Sequence, residues 1–319
     1  MLKHAFRLFA SLVFALAVAP AHAQSAKTLK VVVPYTPGSG PDILSRLMGD
    51  EIGRKHGATV LIENRPGGGT LVGTEQVARA APDGTTVLLV GNSFTVNPAL
   101  KRPGPDIVTA FDPVCYLTST PLVLVVKGDS PYKTLDDLLE AARKEPGKLS
   151  LGSGGPASAL HVAFEVVRRA AKVDMTYVPY GGTAPAINAL MGGHITSVFA
   201  DYPTVVSQLK AGTLRGLVTT SEKRVPPLPD VPTLTETKLA SYVADIYYGI
   251  MAPAKTPPET LRQLQEWFGA AIAAPETAQK VAAQGMFTVG QCGAPFGDFL
   301  KSSLADYTRI IAEAGLKAE

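Results

Sequence analysis

A chain of 319 residues with 46% hydrophobic and 18% charged content can bury a substantial core, which excludes disordered and fibrous classes and fits one large domain or two ordinary ones. Its 30 glycines and 26 prolines follow no fixed period, so collagen-like and low-complexity readings fail too. The 30 Lys and Arg less Lys3 and Arg7, which fall in a removable leader, leave 28 against 27 Asp and Glu, or +1, with no electrostatic footprint for nucleic acid or an anionic membrane.

That leader reads as a secretory signal. Lys3, His4 and Arg7 make a basic start, Leu8 to Ala19 an apolar run, and Ala21-His22-Ala23 a small-x-small cleavage pattern. The run is shorter than the ~20 apolar residues a spanning helix needs, so residues 1–23 are read as a cleaved leader rather than an anchor. No Cys stands at the cleavage point to take lipid, and the product is expected to be soluble outside the cytoplasm.

The mature chain opens with a strand, Leu29 to Pro34, whose Val31-Val32-Val33 run suits a parallel strand buried on both faces. A loop over Tyr35 to Pro41 leads to a helix from Asp42 to His56. Strand Val60 to Glu63, the turn Asn64 to Gly69, a helix over Val72 to Arg79 and strand Thr86 to Val90 follow, an alternation that predicts a parallel α/β sheet. A second series starts at strand Leu122 to Val126. Thr134 caps a helix with Asp136 and Asp137 in its first turn; strands Lys148 to Leu151, Thr176 to Val178, Ile195 to Ala200 and Leu214 to Thr219 alternate with helices from Ser158 to Ala171 and from Thr183. The proline-rich run Pro226 to Pro232 breaks regular structure. Beyond it, Ile246 to Met251 repeats the pattern of Leu122 to Val126: an apolar strand, a proline-bearing turn, a capped helix. The two strands read as paired crossovers, one leaving a first lobe and one returning, with a cleft between two α/β lobes. The divisions expected are 24–124 for the first part of lobe 1, 125–247 for lobe 2 and 248–319 for the return segment.

Cys115 and Cys292 are too few for a zinc framework; they form either a single disulfide or two residues filling apolar space. His56, His161 and His194 are too dispersed for a metal site, and no metal or cofactor enters this reading. Gly91-Asn92-Ser93-Phe94-Thr95 lacks the closing Gly of a serine elbow. Gly68 to Gly73 has phosphate-loop spacing, but Thr74-Glu75 stands where Lys-Ser/Thr is required. Gly152-Ser153-Gly154-Gly155-Pro156-Ala157 satisfies a relaxed dinucleotide fingerprint, yet the acidic residue expected at the end of the next strand is missing.

What remains is a repeated device. Gly38-Ser39-Gly40, Ser153 to Ser158 and Gly181-Gly182-Thr183 each set small and hydroxylated residues before a helix, where unpaired N–H groups and the positive end of the dipole accept an anion. Taken singly, each loop is equally well a turn with a helix cap. Asp42 is read as a dipole partner of its own helix, His161 faces either the cleft or the core, and Tyr35 and Tyr180 either wall a pocket or pack.

The segments Val31 to Asp42, Glu63 to Gly69, Ala78 to Gly84, Asn97-Pro98-Ala99-Leu100, Lys133 to Leu138, Pro146 to Leu149, Tyr177 to Tyr180, Leu228 to Thr233 and Gly249 to Pro253 together resemble one family in order. It is that of the extracytoplasmic solute receptors of tripartite tricarboxylate transporters, also called Bug-type receptors, and the likeness spans essentially the whole mature chain. The resemblance implies a periplasmic, two-lobed α/β fold of the type II periplasmic-binding-protein class, closing as a monomer on a small organic carboxylate that it delivers to membrane subunits of a tripartite transporter. It also implies a pocket built from the loop at Tyr35 to Asp42, the segment after Val90, the Ser153 to His161 loop and the Tyr180 to Thr183 loop. The ligand-binding residues expected are Tyr35, Gly38, Ser39, Gly40, Asn92, Ser93, Ser153, Gly154, Ser158, His161, Tyr180, Gly182, Thr183, Asp201 and Tyr247. Three departures from the family pattern fall at pocket positions: a hydroxyl moved earlier, to Ser39; Ala200-Asp201 where Asp-Asn is common; and Tyr247-Tyr248 in place of Trp-Phe. Rival readings are a sensory receptor of the same fold feeding a membrane kinase, and a secreted hydrolase, for which no nucleophile–base spacing is recognisable.

Overall fold

Consecutive valines can be buried on both sides only if helices cover both faces of their sheet, and that is how the first strand sits. In the computed structural model, which describes residues 28–153, 158–240 and 245–315, β1 (Thr28–Val33) turns Leu29, Val31 and Val33 to one core and Val32 to another. The leader and Gly154 lie outside the described residues. The first sheet is built from β1, β2 (Thr59–Asn64), β3 (Thr86–Val90) and β4 (Phe111–Thr120), with α1 (Gly40–His56), α2 (Leu71–Ala78) and α3 (Ser93–Ala99) between them. At Pro121 the chain passes to a second sheet. That sheet holds β5 (Leu122–Lys127), β6 (Ser150–Ser153), β7 (Thr176–Pro179), β8 (Ser197–Asp201) and β9 (Leu214–Thr219), interleaved with α4 (Leu135–Lys144), α5 (Ala159–Ala171), α6 (Thr183–Met191) and α7 (Tyr202–Lys210). The chain then returns as β10 (Ile246–Pro253), α8 (Pro258–Ala273), α9 (Pro275–Ala283), β11 (Phe287–Cys292) and α10 (Ala294–Ala314).

The strand orders are β11-β4-β10-β3-β1-β2 and β7-β6-β8-β5-β9. The purely parallel sheet expected from the alternation is corrected to a mixed one. β1, β2 and β3 are parallel, but β10 enters antiparallel between β3 and β4; β6, β7 and β8 are parallel, but β5 runs antiparallel to β8 and β9. β4 was not expected, because Pro113 interrupts it. The strand accommodates this at a break in pairing register, where Pro113 lies opposite Met251. The sixth strand of the sequence was expected at Lys148 and starts at Ser150, since the N–H of Lys148 is spent on a turn to Glu145. The cap expected at Thr134 is a full capping box: the Asp137 N–H donates to Thr134 Oγ1 at 3.2 Å and the Thr134 N–H to Asp137 Oδ2 at 2.9 Å.

Helices α1 and α8 cover one face of the first sheet through Leu44, Met48, Ile52, Leu264 and Phe268; α2, α3 and α10 cover the other through Val77, Phe94, Phe296 and Leu300. Helix α10 does more. Its later residues Tyr307, Ile310 and Ile311 join the core of the second sheet, together with Val96 of α3 and Leu100 just after it. One helix therefore spans both cores. Among the described residues no helix is long and apolar enough to cross a membrane.

Cys115 of β4 and Cys292 of β11 lie directly opposite each other, Cα atoms 3.9 Å apart, and are joined as a disulfide across 177 residues of chain. Cys115 is also fully buried in the core, so the two alternatives left by the sequence hold together. The bond fastens β11, an edge strand that is otherwise held by hydrogen bonds on one side only, to β4. Replacing both cysteines with Ala should lower unfolding free energy by about 2–4 kcal/mol. Urea unfolding of the oxidised wild type against the double variant checks this, and no loss would show that the sheet alone holds β11.

Candidate functional site

Parallel strands end together, so the loops leaving them gather at one edge, and a ligand crevice forms where those loops meet. The edge of the first sheet carries Tyr35 after β1 and Asn92-Ser93 after β3; that of the second carries Ser153, Tyr180 and Asp201 at the ends of β6, β7 and β8. The two edges face each other across one cavity, lined by Tyr35, Ser93 and Tyr248 of β10 from the first and by Ser158 from the second. Burial first, then Tyr35 and Asp201, push the Tyr248 phenol above its ordinary value.

The loop after β1 is organised by Asp42. Its buried carboxylate accepts the Gly38 N–H at 2.9 Å, two bonds from the Arg46 guanidinium at 3.0 Å each, and the Asn64 Nδ2–H at 2.9 Å. Burial pulls its pKa up, but these bonds outweigh it and hold the carboxyl below its ordinary value. The role expected for Asp42, a partner to its own helix rather than to a ligand, matches this arrangement. The same bonds commit the donors of the loop: Gly38 N–H goes to Asp42, and both the N–H and the hydroxyl of Ser39 go to the Thr36 carbonyl, at 3.3 and 2.7 Å. Gly38, Ser39 and Gly40 sit outside the cavity described below.

On the second sheet the Ser158 hydroxyl accepts the His161 N–H at 3.2 Å and caps α5. His161 is 7% exposed and stacks on Tyr177, ring centroids 3.8 Å apart at 7°. Its imidazole belongs to the wall of that lobe. The fully buried Ser153 shares a hydrogen bond with the Tyr177 hydroxyl at 2.9 Å, fixing the ring that carries His161. Thr183 Oγ1 donates to Asp201 at 2.8 Å and Thr204 Oγ1 to its other oxygen at 2.5 Å, which ties the start of α6 to the start of α7 beside Gly182.

Between the two edges lies a cavity of about 330 Å³. Tyr35, Asn92, Ser93 and Ser158, all expected from the sequence, line it; so do Tyr248, Ala159 and Leu160, which lie in segments assigned to the pocket without being named as ligand contacts, and Gly69, Val96, Asn97, Leu100, Arg102 and Ile246, which were not named. Tyr35 and Tyr248 meet edge to face at 6.1 Å, and the Tyr35 hydroxyl bonds Ser93 Oγ at 3.4 Å, which also accepts from Thr70 at 3.0 Å. Asn92 is spent on structure: its amide donates to the Asp245 carbonyl and to the Tyr307 hydroxyl, both at 3.0 Å, and accepts the Tyr247 N–H at 3.1 Å. Tyr247, expected in the pocket, is 1% exposed and packs on Tyr116, Phe296 and Phe299. Strand alternation explains this: of two adjacent tyrosines only one can face the cavity, and it is Tyr248. Tyr180, Gly182, Thr183 and Asp201 frame the second edge without lining the cavity.

Arg102 is the cation that sequence reasoning did not find. Lys101 adopts a left-handed conformation at φ 57, and the Arg102 N–H turns back to the Asn97 carbonyl at 3.0 Å, closing α3. The guanidinium reaches Asn97 Oδ1 at 3.4 Å and lies so near Gly69 that a Cβ there would come within 2.9 Å of it. Among the described residues no carboxylate lies within salt-bridge distance of it. Its sequence signal was its position two residues beyond the recognisable Asn97 to Leu100 run.

This is the architecture of a two-lobed periplasmic binding protein, with its cavity between facing strand ends. The family model "Tripartite tricarboxylate transporter family receptor" matches residues 44–316, and the chain belongs to that family. It is 32% identical to the UPF0065 protein in the tcbD-tcbE intergenic region of Pseudomonas sp., over 90% of this chain and 86% of that one. With protein BugT of Bordetella pertussis it shares 27% identity over 92% and 90%. Among solved structures, a TctC solute-binding protein from Polaromonas without ligand superposes with a TM-score of 0.84 at 25% identity, covering 91% of this chain and 99% of that one. An R. palustris protein with adipate gives 0.75 at 27% (91% and 98%), and MatC from Rhodopseudomonas palustris with bound malate gives 0.70 at 25% (89% and 98%).

Desolvation, the largest effect on His161, holds its pKa below the ordinary 6.5, against an opposing pull from Glu165. A base depressed in the folded state contributes stability that is present above 6.5 and is lost as pH falls through the folded pKa. Wild type should therefore lose urea resistance more steeply than His161→Phe as pH falls below 6.5, because the Phe ring keeps the stack on Tyr177 without a proton to take up. Parallel pH profiles for the two proteins would remove His161 from the buried wall.

Proposed function

We propose that the chain is a periplasmic receptor that captures a small organic carboxylate in the cavity between Tyr35, Ser93, Tyr248, Arg102 and the start of α5, and delivers it to the membrane subunits of a tripartite-type transporter. The observation that carries this reading is the pairing of a guanidinium, which has no carboxylate partner among the described residues, with a helix start across a cavity of about 330 Å³. A carboxylate held there meets charge at Arg102, dipole at α5 and neutral hydroxyl donors between them. The carboxylates in two relatives, adipate and malate, support the same ligand class. The basic, apolar, small-x-small leader supports export to the periplasm with cleavage after Ala23.

Lobes that follow the two sheets exchange chain at Pro121 and ahead of Ile246, beside the divisions read from sequence at 124 and 247. Closure by rotation at these two passages is part of the proposal. The arrangement described is taken in this proposal as the open form.

A thermal-shift screen of mono-, di- and tricarboxylates, with the matching amides as controls, tests the ligand class. A ligand at about 100 times its Kd adds ~2.7 kcal/mol of stability, well within reach of such a screen. Arg102→Gln should weaken a responding acid by about 1.5–3 kcal/mol and leave its amide nearly unchanged. Equal responses to acid and amide in wild type would overturn the carboxylate reading.

A further inference from the structure

The chain crosses between the sheets at two places, and one side chain touches both. Asp245 stands just ahead of β10 on the return passage. One of its carboxylate oxygens accepts a short hydrogen bond from Ser119, near the end of β4, immediately before the outward passage at Pro121. The other accepts from Ser221 Oγ at 3.1 Å and Thr220 Oγ1 at 3.4 Å, just beyond β9 where the return passage leaves the second sheet. The Thr220 hydroxyl in turn accepts the Leu122 N–H at 3.3 Å, on the first residue of β5. The Asp245 carbonyl takes the Asn92 amide, and the same amide reaches Tyr307 on α10, the helix that spans both cores. Outward passage, return passage, cavity segment and spanning helix are thus joined through one residue.

Three further features single out this junction. Among the described residues no cation pairs with Asp245, so its carboxylate is met only by hydroxyls; burial raises its pKa while Ser119, Ser221 and Thr220 oppose that. The buried side-chain hydroxyls of Thr120 and Thr219, at the ends of β4 and β9, have no hydrogen-bond partner among the described residues. Buried hydroxyls are ordinarily paired, so a local rearrangement that pairs them gains free energy at this spot. Finally, Asp245, Ser119, Pro121 and Ser221 line a crevice of about 840 Å³, walled by β11 and α10, into which the carboxylate can swing and hydrate once its bonds part.

We propose that Asp245 is the positioning residue of the hinge: its carboxylate cross-links Ser119 on one passage to Thr220 and Ser221 on the other and so restrains rotation of the lobes. This rests on the reading of the chain as a closing two-lobed receptor, but not on which ligand it takes. Breaking the cross-link frees the passages to rotate while both cores stay intact. Removing either serine breaks one arm and acts partway.

The test uses the ligand-free mature protein, so that a wrong ligand class cannot mask the result. Nitroxide labels on Lys55→Cys and Lys144→Cys, exposed helix residues on the two sheets, report inter-lobe distance with the native disulfide kept oxidised. The distance distribution of wild type should be narrow. In Asp245→Ala the balance between this arrangement and shorter distances should shift about tenfold, with Ser119→Ala and Ser221→Ala falling between, while circular dichroism stays native. Superimposable distributions in wild type and a folded Asp245→Ala would overturn the proposal. If Asp245→Ala fails to fold, the two serine variants decide it, and wild-type distributions in both would overturn it equally. A hinge response without any carboxylate binding would leave the pin standing and sink the ligand class; carboxylate binding with an unmoved hinge would do the reverse.

Discussion

The first sheet is whole only because of a strand that arrives about 130 residues after its neighbour on one side and more than 150 after the other. β10 sits between β3 and β4, hydrogen-bonded antiparallel to both, and without it β1, β2 and β3 would part from β4 and β11. This non-local pairing is what obliges the chain to return from the second sheet, and the return creates the two passages, the facing edges and the cavity between them. The strand also divides its side chains by alternation. Tyr247 and Met251 go to the core under α10, Tyr248 to the cavity and Ile250 to the core under α8. Gly249 allows the tight packing: a Cβ there would come within 2.3 Å of the Phe296 ring and 2.9 Å of the Cys115 carbonyl.

Helix α10 sets the limit on how the two sheets can move. Its first half contributes Phe296 and Leu300 to the core beneath the first sheet, and its second half contributes Tyr307, Ile310 and Ile311 to the core of the other. Cores are packed at the density of organic crystals and do not deform continuously, so the lobe rotation proposed above would have to pivot near the helix rather than pull it out of either core. The Asn92 amide, bonded to Tyr307 and to the Asp245 carbonyl, ties that helix to the return passage.

Most strands and many helices were legible because their signals are local. The valine run of β1, the Thr134 capping box and the Ser158 cap each declare themselves within a few residues, and β3 and β9 begin and end where the periodicity put them. What was not legible depends on partners far along the chain. β4 hides behind Pro113, and the antiparallel insertion of β10 cannot be read from β10 itself. The cavity divides the same way. Tyr35, Ser93 and Ser158 follow from their place at strand ends and helix starts. Ser39 was expected to offer donors, but the same hydroxyl chemistry that suits an anion also suits the Thr36 carbonyl, which is nearer. Arg102 escaped because its approach to the cavity depends on the left-handed turn at Lys101 and on the missing side chain of Gly69, features of backbone rather than of pattern.

The donors around the cavity are suited to holding an anion rather than to moving protons. Burial raises the Tyr35 phenol, and burial with neighbouring Tyr35 and Asp201 raises that of Tyr248, so both stay protonated and can only donate or accept hydrogen bonds near neutral pH. Ser93 Oγ takes the hydroxyls of Thr70 and Tyr35 as its partners, and neither is a base that could accept its proton. His161, whose imidazole could serve as one, is turned into the wall against Tyr177. Among the described residues, a chain of neutral hydroxyls with a guanidinium at one side and a helix start at the other suits a charge already present on a ligand, which accords with the proposed capture of an acid.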